Sequence, residues 1–253
     1  MSMIDEAIIK SFQSISLEEM GKVRLMNRID TKFVTSFDKI EDFLEITSGD
    51  YMLQQIGGHS NMPYYTKYYD TADVNMFYQH QRGKKNRQKI RIRQYENSDT
   101  PPFLEIKTKN NKGRTRKKRV VMEEDTLLAQ YTDFINRHSI YDPAQLFPRI
   151  ENHFYRVTLV DKHLTERITI DTHIEFHNLL NDNRVSLPNI GVIEWKRDGR
   201  NCKSDLDSLL RELRIHPNGF SKYCVGMAMT DSALKQNRLK VKLRTIDRIN
   251  SGF

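Results

Sequence analysis

Apolar and charged residues alternate with period two through much of this chain, and the alternation gives way to helical spacing at a few places. In KIRIRQY, Ile90 and Ile92 point one way and Lys89, Arg91 and Arg93 the other, because a strand sends residues i and i+2 to one face. The same reasoning predicts strands over Arg28 to Thr35, Tyr64 to Asp70, 88–95, 102–108, 114–122, His153 to Val160, Glu166 to Asp171 and Val192 to Lys196. Asn110, Asn111 and Gly113 mark a hairpin turn, and a second turn falls near Asp161–Lys162. Helices are predicted over 5–13 and over 16–21, where Ser16 and Glu19 form a capping-box pair. Phe37 to Ile46 is helical, with Phe37, Ile40, Phe43 and Leu44 on one face. Thr71 to Gln81 follows, capped by Thr71 and stopped by Gly83, and then 124–137, 204–214 and about 221–235.

These elements describe an α+β protein with eight antiparallel strands and helices gathered around them. Two arrangements satisfy the alternation. A half-exposed sheet leaves its charged face wet. A closed eight-stranded barrel turns its apolar residues outward against helices and lines its lumen with charge. The expected organisation is an N-terminal helical segment at 1–23, the sheet domain at 24–236 and a loosely held basic tail, KVKLRTIDRINSGF, within 237–253.

Charge sharpens this picture. The 253 residues carry a net charge of +8, and mean hydropathy is −0.68. From Lys84 to Arg119 there are 14 Lys or Arg against Glu96, Asp99 and Glu105, while the rest holds 27 basic and 30 acidic residues. The basic block is interleaved with Ile90, Ile92, Phe103, Leu104, Ile106, Val120 and Val121, so it is folded sheet rather than a tail. Such a block suits a polyanion. Nucleic acid is not expected, because Tyr95 and Phe103 are too few aromatics for a stacking platform. No apolar run approaches the roughly 20 residues of a membrane span, and MSMIDEAIIKSFQ lacks the features of a secretory signal. A cytoplasmic protein with Cys202 and Cys224 as reduced thiols is the expectation.

The candidate chemistry lies in charges spaced two apart on strands. Arg28, Asp30 and Lys32 alternate in RIDTKFV; Arg91 and Arg93, Glu105 and Lys107, Lys117 and Arg119, and Glu194 and Lys196 repeat the pattern. Arginine offers forked donors that match phosphate oxygens; the competing reading is a solvated strand face. Glu194 and Lys196 flank Trp195 in the most apolar strand, so they form either a simple salt bridge or a site in which Glu194 holds a hard divalent cation. Tyr155 and Arg156 sit in HFYRVTL on opposite faces unless a bulge intervenes. Arg167 and Asp171 sit in ERITIDT. Ser221, Lys222 and Tyr223 open the last helix, where a serine cap and a lysine make either an anion site or an ordinary capped helix. The eight histidines show no metal spacing, and no glycine-rich phosphate loop occurs.

RIDTKFV, KYYDT, KIRIRQY, FLEIKTK, RTRKKRV, HFYRVTL, ERITIDT, GVIEWKR and SKYCVG, taken in order from Arg24 to Met229, resemble the VTC-type polyphosphate polymerase domain of the triphosphate tunnel metalloenzyme (CYTH-like) superfamily. The resemblance implies an antiparallel eight-stranded β-tunnel with helices packed outside. It implies a metal-dependent polymerase that moves the γ-phosphate of ATP onto a growing inorganic polyphosphate chain. By similarity, the tunnel cations would be Lys32, Arg91, Arg93, Lys107, Lys117, Arg119, Arg156, Arg167 and Lys222, with Arg28, Tyr155 and Ser221 contacting substrate. Glu194 would hold Mn²⁺ or Mg²⁺, with Glu105 assisting. RIDTK replaces the ExExK signature of the wider superfamily, which favours the polymerase branch over its hydrolases; the alternatives are a tunnel triphosphatase acting on tripolyphosphate or a nucleoside triphosphate, and a non-catalytic polyphosphate-binding module. The sequence shows neither the phosphate-sensing domain nor the membrane helices of the fungal complexes, so any link to a membrane is expected through a membrane-protein partner.

Overall fold

The computed structural model describes residues 3–21, 28–97, 99–111, 114–123, 127–199 and 204–252, with Arg28 described by its backbone alone. Gly113 of the expected hairpin turn, Cys202 and the start of the 124–137 helix lie outside the described residues. The chain begins with α1 (Glu6–Lys10), β1 (Gln13–Ser16) and α2 (Leu17–Met20), then β2 (Arg28–Ser36), α3 (Phe37–Thr47) and β3 (Tyr51–Gln55). Next come β4 (Met62–Asp70), α4 (Asn75–Gln81), β5 (Arg87–Tyr95), β6 (Phe103–Lys109), β7 (Thr115–Val121) and α5 (Thr132–His138). The last part contains β8 (Phe147–Asp161), β9 (Glu166–Asn178), β10 (Arg184–Leu187), β11 (Ile190–Asp198), α6 (Asp205–Glu212), α7 (Lys222–Thr230) and α8 (Lys240–Asn250).

The main sheet runs β2-β11-β9-β8-β4-β5-β6-β7, and its neighbours pair antiparallel. This is the expected eight-stranded antiparallel architecture, and the sheet curls into a half-barrel. The curl can be read from electrostatics. β11 and β6 stand five steps apart in the pairing order, about 24 Å in a flat sheet. Yet Glu194 on β11 favours the charged form of Lys107 on β6, and Lys32 on β2 disfavours the charge of Lys89 on β5. The face carrying these side chains is therefore concave.

Helices cover the other face as period-two patterning requires. Ile193 and Trp195, which flank Glu194, join Ile168, Ile170, Val157 and Leu159 in a buried cluster with α3's Phe37, Ile40, Phe43 and Leu44. α1 and α6 pack on the same cluster through Ile8, Leu206 and Leu210. A second cluster joins Ile90, Leu104 and Ile106 to Met76 and Phe77 of α4; α7 also belongs to it but lies on the concave side, its Tyr223 ring 5.3 Å from that of Tyr68, the cross-strand partner of Arg91.

Several expectations change. β1, β3 and β10 are short strands that pair at the margins, too brief for alternation to register. β8 and β9 run well beyond the predicted ends, because a long antiparallel pairing with a bulge between His153 and Tyr155 holds them. α4 starts at Asn75 rather than Thr71: Thr71 Oγ1 accepts from Asn75 N at 3.0 Å, while the buried Asp70 carboxylate accepts from Met76 N and Phe77 N. The 124–137 prediction becomes a 3₁₀ turn at Leu128–Tyr131 followed by α5. Residues 240–250, expected within a loose tail, form α8, whose Ile246 is fully buried.

Candidate functional site

The polar residues of the concave face assemble around three carboxylates. On β11, Glu194 Oε2 pairs with Lys196 at 2.8 Å, and Oε1 faces Lys32 of β2 at 3.6 Å. Strand register sets this up, since Lys32 lies directly opposite Glu194. On β9, Asp171 accepts parallel hydrogen bonds from Arg156 Nε and Nη2 at 2.6 and 2.8 Å. Lys222 of α7 also donates to Asp171. On β6, Glu105 is 2 % exposed; Oε2 accepts from Arg91 Nε and Nη2 at 2.8 and 2.6 Å, and Oε1 from Lys117 at 3.0 Å.

Cations outnumber these anions. Arg93 reaches Glu105 only at 3.9 Å, and its buried Nε has no hydrogen-bond partner. Lys107 forms no ion pair among the described residues, and it stands opposite Lys89 on one side and Lys117 on the other. Lys89 donates to Ser221 Oγ at 2.7 Å. Ser221 in turn caps α7 by accepting from Cys224 N, so the positive end of this helix points at the groove. α7 can lie this close because Gly226 carries no side chain: a Cβ there would come within 2.5 Å of Phe176 Cδ1 and 2.6 Å of Ile150 Cδ1.

Burial and mutual repulsion depress the lysines. Burial, with Lys32, Arg87 and Arg91 nearby, pushes Lys89 down to about 8. Burial pushes Lys107 to about 8 and Lys196 to about 8. Burial, opposed by Asp171 and aided by Arg156, brings Lys222 to about 7. Burial alone would raise the carboxyls, but the cations override it. Arg91, Arg93 and Lys117 hold Glu105 well below the carboxylate range, Arg156 and Lys222 do so for Asp171, and Lys32 and Lys196 for Glu194. Such a groove is an electrostatic deficit that a linear anion relieves.

Of the residues named from sequence, Lys32, Arg91, Arg93, Lys107, Lys117, Arg156, Arg167, Glu105, Glu194, Ser221 and Lys222 come to this face or its rim. Arg119 lies at the exposed margin on β7, stacked over Phe103 at 4.7 Å. The side chain of Arg28 lies outside the described residues. Tyr155 does not join the cluster. Arg156 takes the concave side, so Tyr155 faces away and its ring meets His173 edge-on. Lys89, Lys196 and Asp171 also belong to the cluster, although the sequence placed them on their strands without giving them a role. Parity was the signal that could have assigned them: each shares a strand face with a residue that was given a role.

The donor chemistry tests the implied divalent ion. Among the described residues no group of three His, Cys, Asp or Glu side chains gathers. Both Glu105 oxygens are engaged by cations, so Glu105 does not fit as an ion ligand; it orients Arg91 and Lys117 instead. Glu194 fits. Its Oε1 contact to Lys32 is loose at 3.6 Å, and one carboxylate is enough where phosphate oxygens and water complete a hard ion's coordination.

Comparison with known proteins agrees with this geometry. The family model described as the VTC domain matches residues 27–230. No curated protein matches the chain. Among solved structures, a Bacillus halodurans protein described as a candidate adenylate cyclase superposes with TM-score 0.52 at 14% identity, covering 78% of this chain and 96% of that one. A Hippeastrum protein, described as a candidate adenylyl cyclase with dominant triphosphatase activity, gives TM-score 0.49 at 14% identity, covering 81% and 97%. At this identity the likeness to the Bacillus halodurans protein shows the fold alone. No helix of the described residues is long and apolar enough to cross a membrane.

Proposed function

The chain belongs to the VTC domain family, and from that membership we propose that it is an ATP-dependent polyphosphate polymerase working in the concave groove. The observation that carries the reading is the surplus of inward cations, of which Arg93 and Lys107 are the least neutralised. A terminal phosphate oxygen of the growing chain attacks the γ-phosphorus of ATP; the bond to the β–γ bridging oxygen breaks and ADP leaves with its electron pair. No protein nucleophile is required. Arg93, Lys107, Arg156 and Lys222 stabilise the charge spread over the transferring phosphoryl oxygens. Glu105 and Asp171 position Arg91 and Arg156 through two-point hydrogen bonds. Glu194 would hold Mn²⁺ or Mg²⁺, which when bound supplies Lewis-acid neutralisation of phosphate oxygens. Purified protein given ATP and Mn²⁺ is expected to yield long-chain phosphate and ADP, and to stop when the ion is chelated. Free phosphate as the sole inorganic product would overturn the polymerase reading.

Proton linkage gives an independent prediction. Burial brings Lys89 and Lys107 down to about 8 in the free protein, and a bound polyanion raises both. Binding therefore takes up protons where the free lysines are deprotonated and the bound ones are not. Affinity for tripolyphosphate is expected to be level below about pH 6.5, where both are already charged, and to fall as pH rises through about 8. Calorimetry at pH 8 in buffers of different ionisation enthalpy checks this; zero proton uptake would contradict it.

A further inference from the structure

α8 lies beyond the residues that match the family model, 27–230, yet it packs on the groove side of the sheet. Its buried Ile246 shares an apolar cluster with Val34, Val192 and Phe220. Val34 and Val192 are direct cross-strand partners, each two residues from Lys32 and Glu194 on the same faces. α8 thus sits one step along the groove from that pair. Its far end is fixed by Asn250, whose Oδ1 accepts from Asn189 N at 3.2 Å and whose carbonyl accepts from Asn189 Nδ2 at 2.7 Å.

Lys242 lies one helical turn before Ile246, on the same face. Its Nζ is 3.8 Å from where a Cβ on Gly219 would stand. Gly219 belongs to the loop that enters α7 through Ser221, and this loop is stitched to β2: Asn218 N donates to Lys32 O at 2.8 Å, and Pro217 bridges Phe33. Lys242 therefore stands where Lys32's strand meets the α7 N-terminus. It is partly buried, and no carboxylate lies within ion-pair distance of it among the described residues. Burial lowers its proton affinity, and the Lys32 charge adds to that. A half-buried ammonium beside another cation is unfavourable unless an anion joins it.

We propose that Lys242 is a further phosphate-binding residue, which with Lys32, Ser221 and the first N–H groups of α7 holds the phosphate at this end of a linear oligophosphate. This rests on the reading of the groove as an oligophosphate site. The exposed Arg244 on the same helix serves as a control for general surface charge.

Tripolyphosphate titrated calorimetrically into the full chain and into Lys242→Gln, Lys242→Arg, Arg244→Gln and Arg93→Ala tests it. Lys242→Gln is expected to weaken binding about tenfold, the loss of one charge-assisted hydrogen bond, without lowering the unfolding temperature. Lys242→Arg should recover most of the loss, and Arg244→Gln should bind as the parent does. Unchanged affinity in Lys242→Gln, with Arg93→Ala weakened, overturns the assignment of Lys242 alone. Equal weakening by Lys242→Gln and Arg244→Gln also overturns it. Failure of the unaltered chain to bind removes the groove reading beneath it.

Discussion

Arg93→Ala is expected to lower the rate of phosphate transfer by about 10²–10³-fold, the usual effect of losing one preorganised charge-stabilising donor. The reason lies in how unequally the two neighbouring arginines are satisfied. Arg91 gives two hydrogen bonds to Glu105, so much of its charge is already answered. Arg93 reaches the same carboxylate only at 3.9 Å, and its buried Nε has no partner. Burial, with Arg91 beside it, holds the proton affinity of Arg93 down. Its free energy improves most when negative charge arrives, which is the property of a group that acts in the transition state rather than in the resting fold. The same substitution removes a repulsive charge, so the unfolding temperature should hold or rise. Steady-state kinetics together with thermal unfolding decide the matter. A variant that turns over at the parent rate, or one that loses activity only because it unfolds, would remove Arg93 from the mechanism.

Asp171→Asn should act in the opposite way, chiefly on stability. Asp171 is 4 % exposed and answers both Arg156 and Lys222. Asparagine keeps the shape and removes the charge, leaving two buried cations together. Breaking a buried pair from one side costs about 3–5 kcal/mol, or a fall of roughly 6–20 °C in unfolding temperature for a chain of this size. Tripolyphosphate should restore part of the loss, because it supplies the missing charge. An unfolding temperature within about 2 °C of the parent, well short of the roughly 6 °C that the smallest such loss implies, would show that the triad does not hold the fold. The pH dependence follows from the same contacts. Asp171 and Glu105 have proton affinities lowered by folding. Their contribution is thus present above about pH 4, the unfolded value, and is lost as pH falls toward their folded values.

Local chemistry made some elements easy to read. Ser16 and Glu19 close the capping box from both sides, and Phe37, Ile40, Phe43 and Leu44 are all buried on α3. KIRIRQY and FLEIKTK gave up both their strand and their faces, because alternation is a property of each strand alone. β1 and β3 were not legible. Each has only a few residues and depends on its pairing partner, β1 on β3 and β3 on both β1 and β8. α8 was misjudged because its basic, sparsely apolar sequence gains its one fully buried residue, Ile246, only by packing on β2 and β11.

The sequence by itself determined which residues share a strand face, and with that the candidacy of Lys32, Arg91, Arg93, Lys107 and Glu194. It also determined the family. Only the tertiary structure decided which of these charges are already answered. Glu105 turned out to be spoken for by arginines and lysine rather than free for an ion, Tyr155 faced away, and Lys242 arrived from a helix more than two hundred residues from Lys32 in the chain. Parity is a rule about neighbours two apart, carried by every strand unaided. Neutralisation depends on distances across a curled sheet, and those exist only once strands far apart in sequence have met.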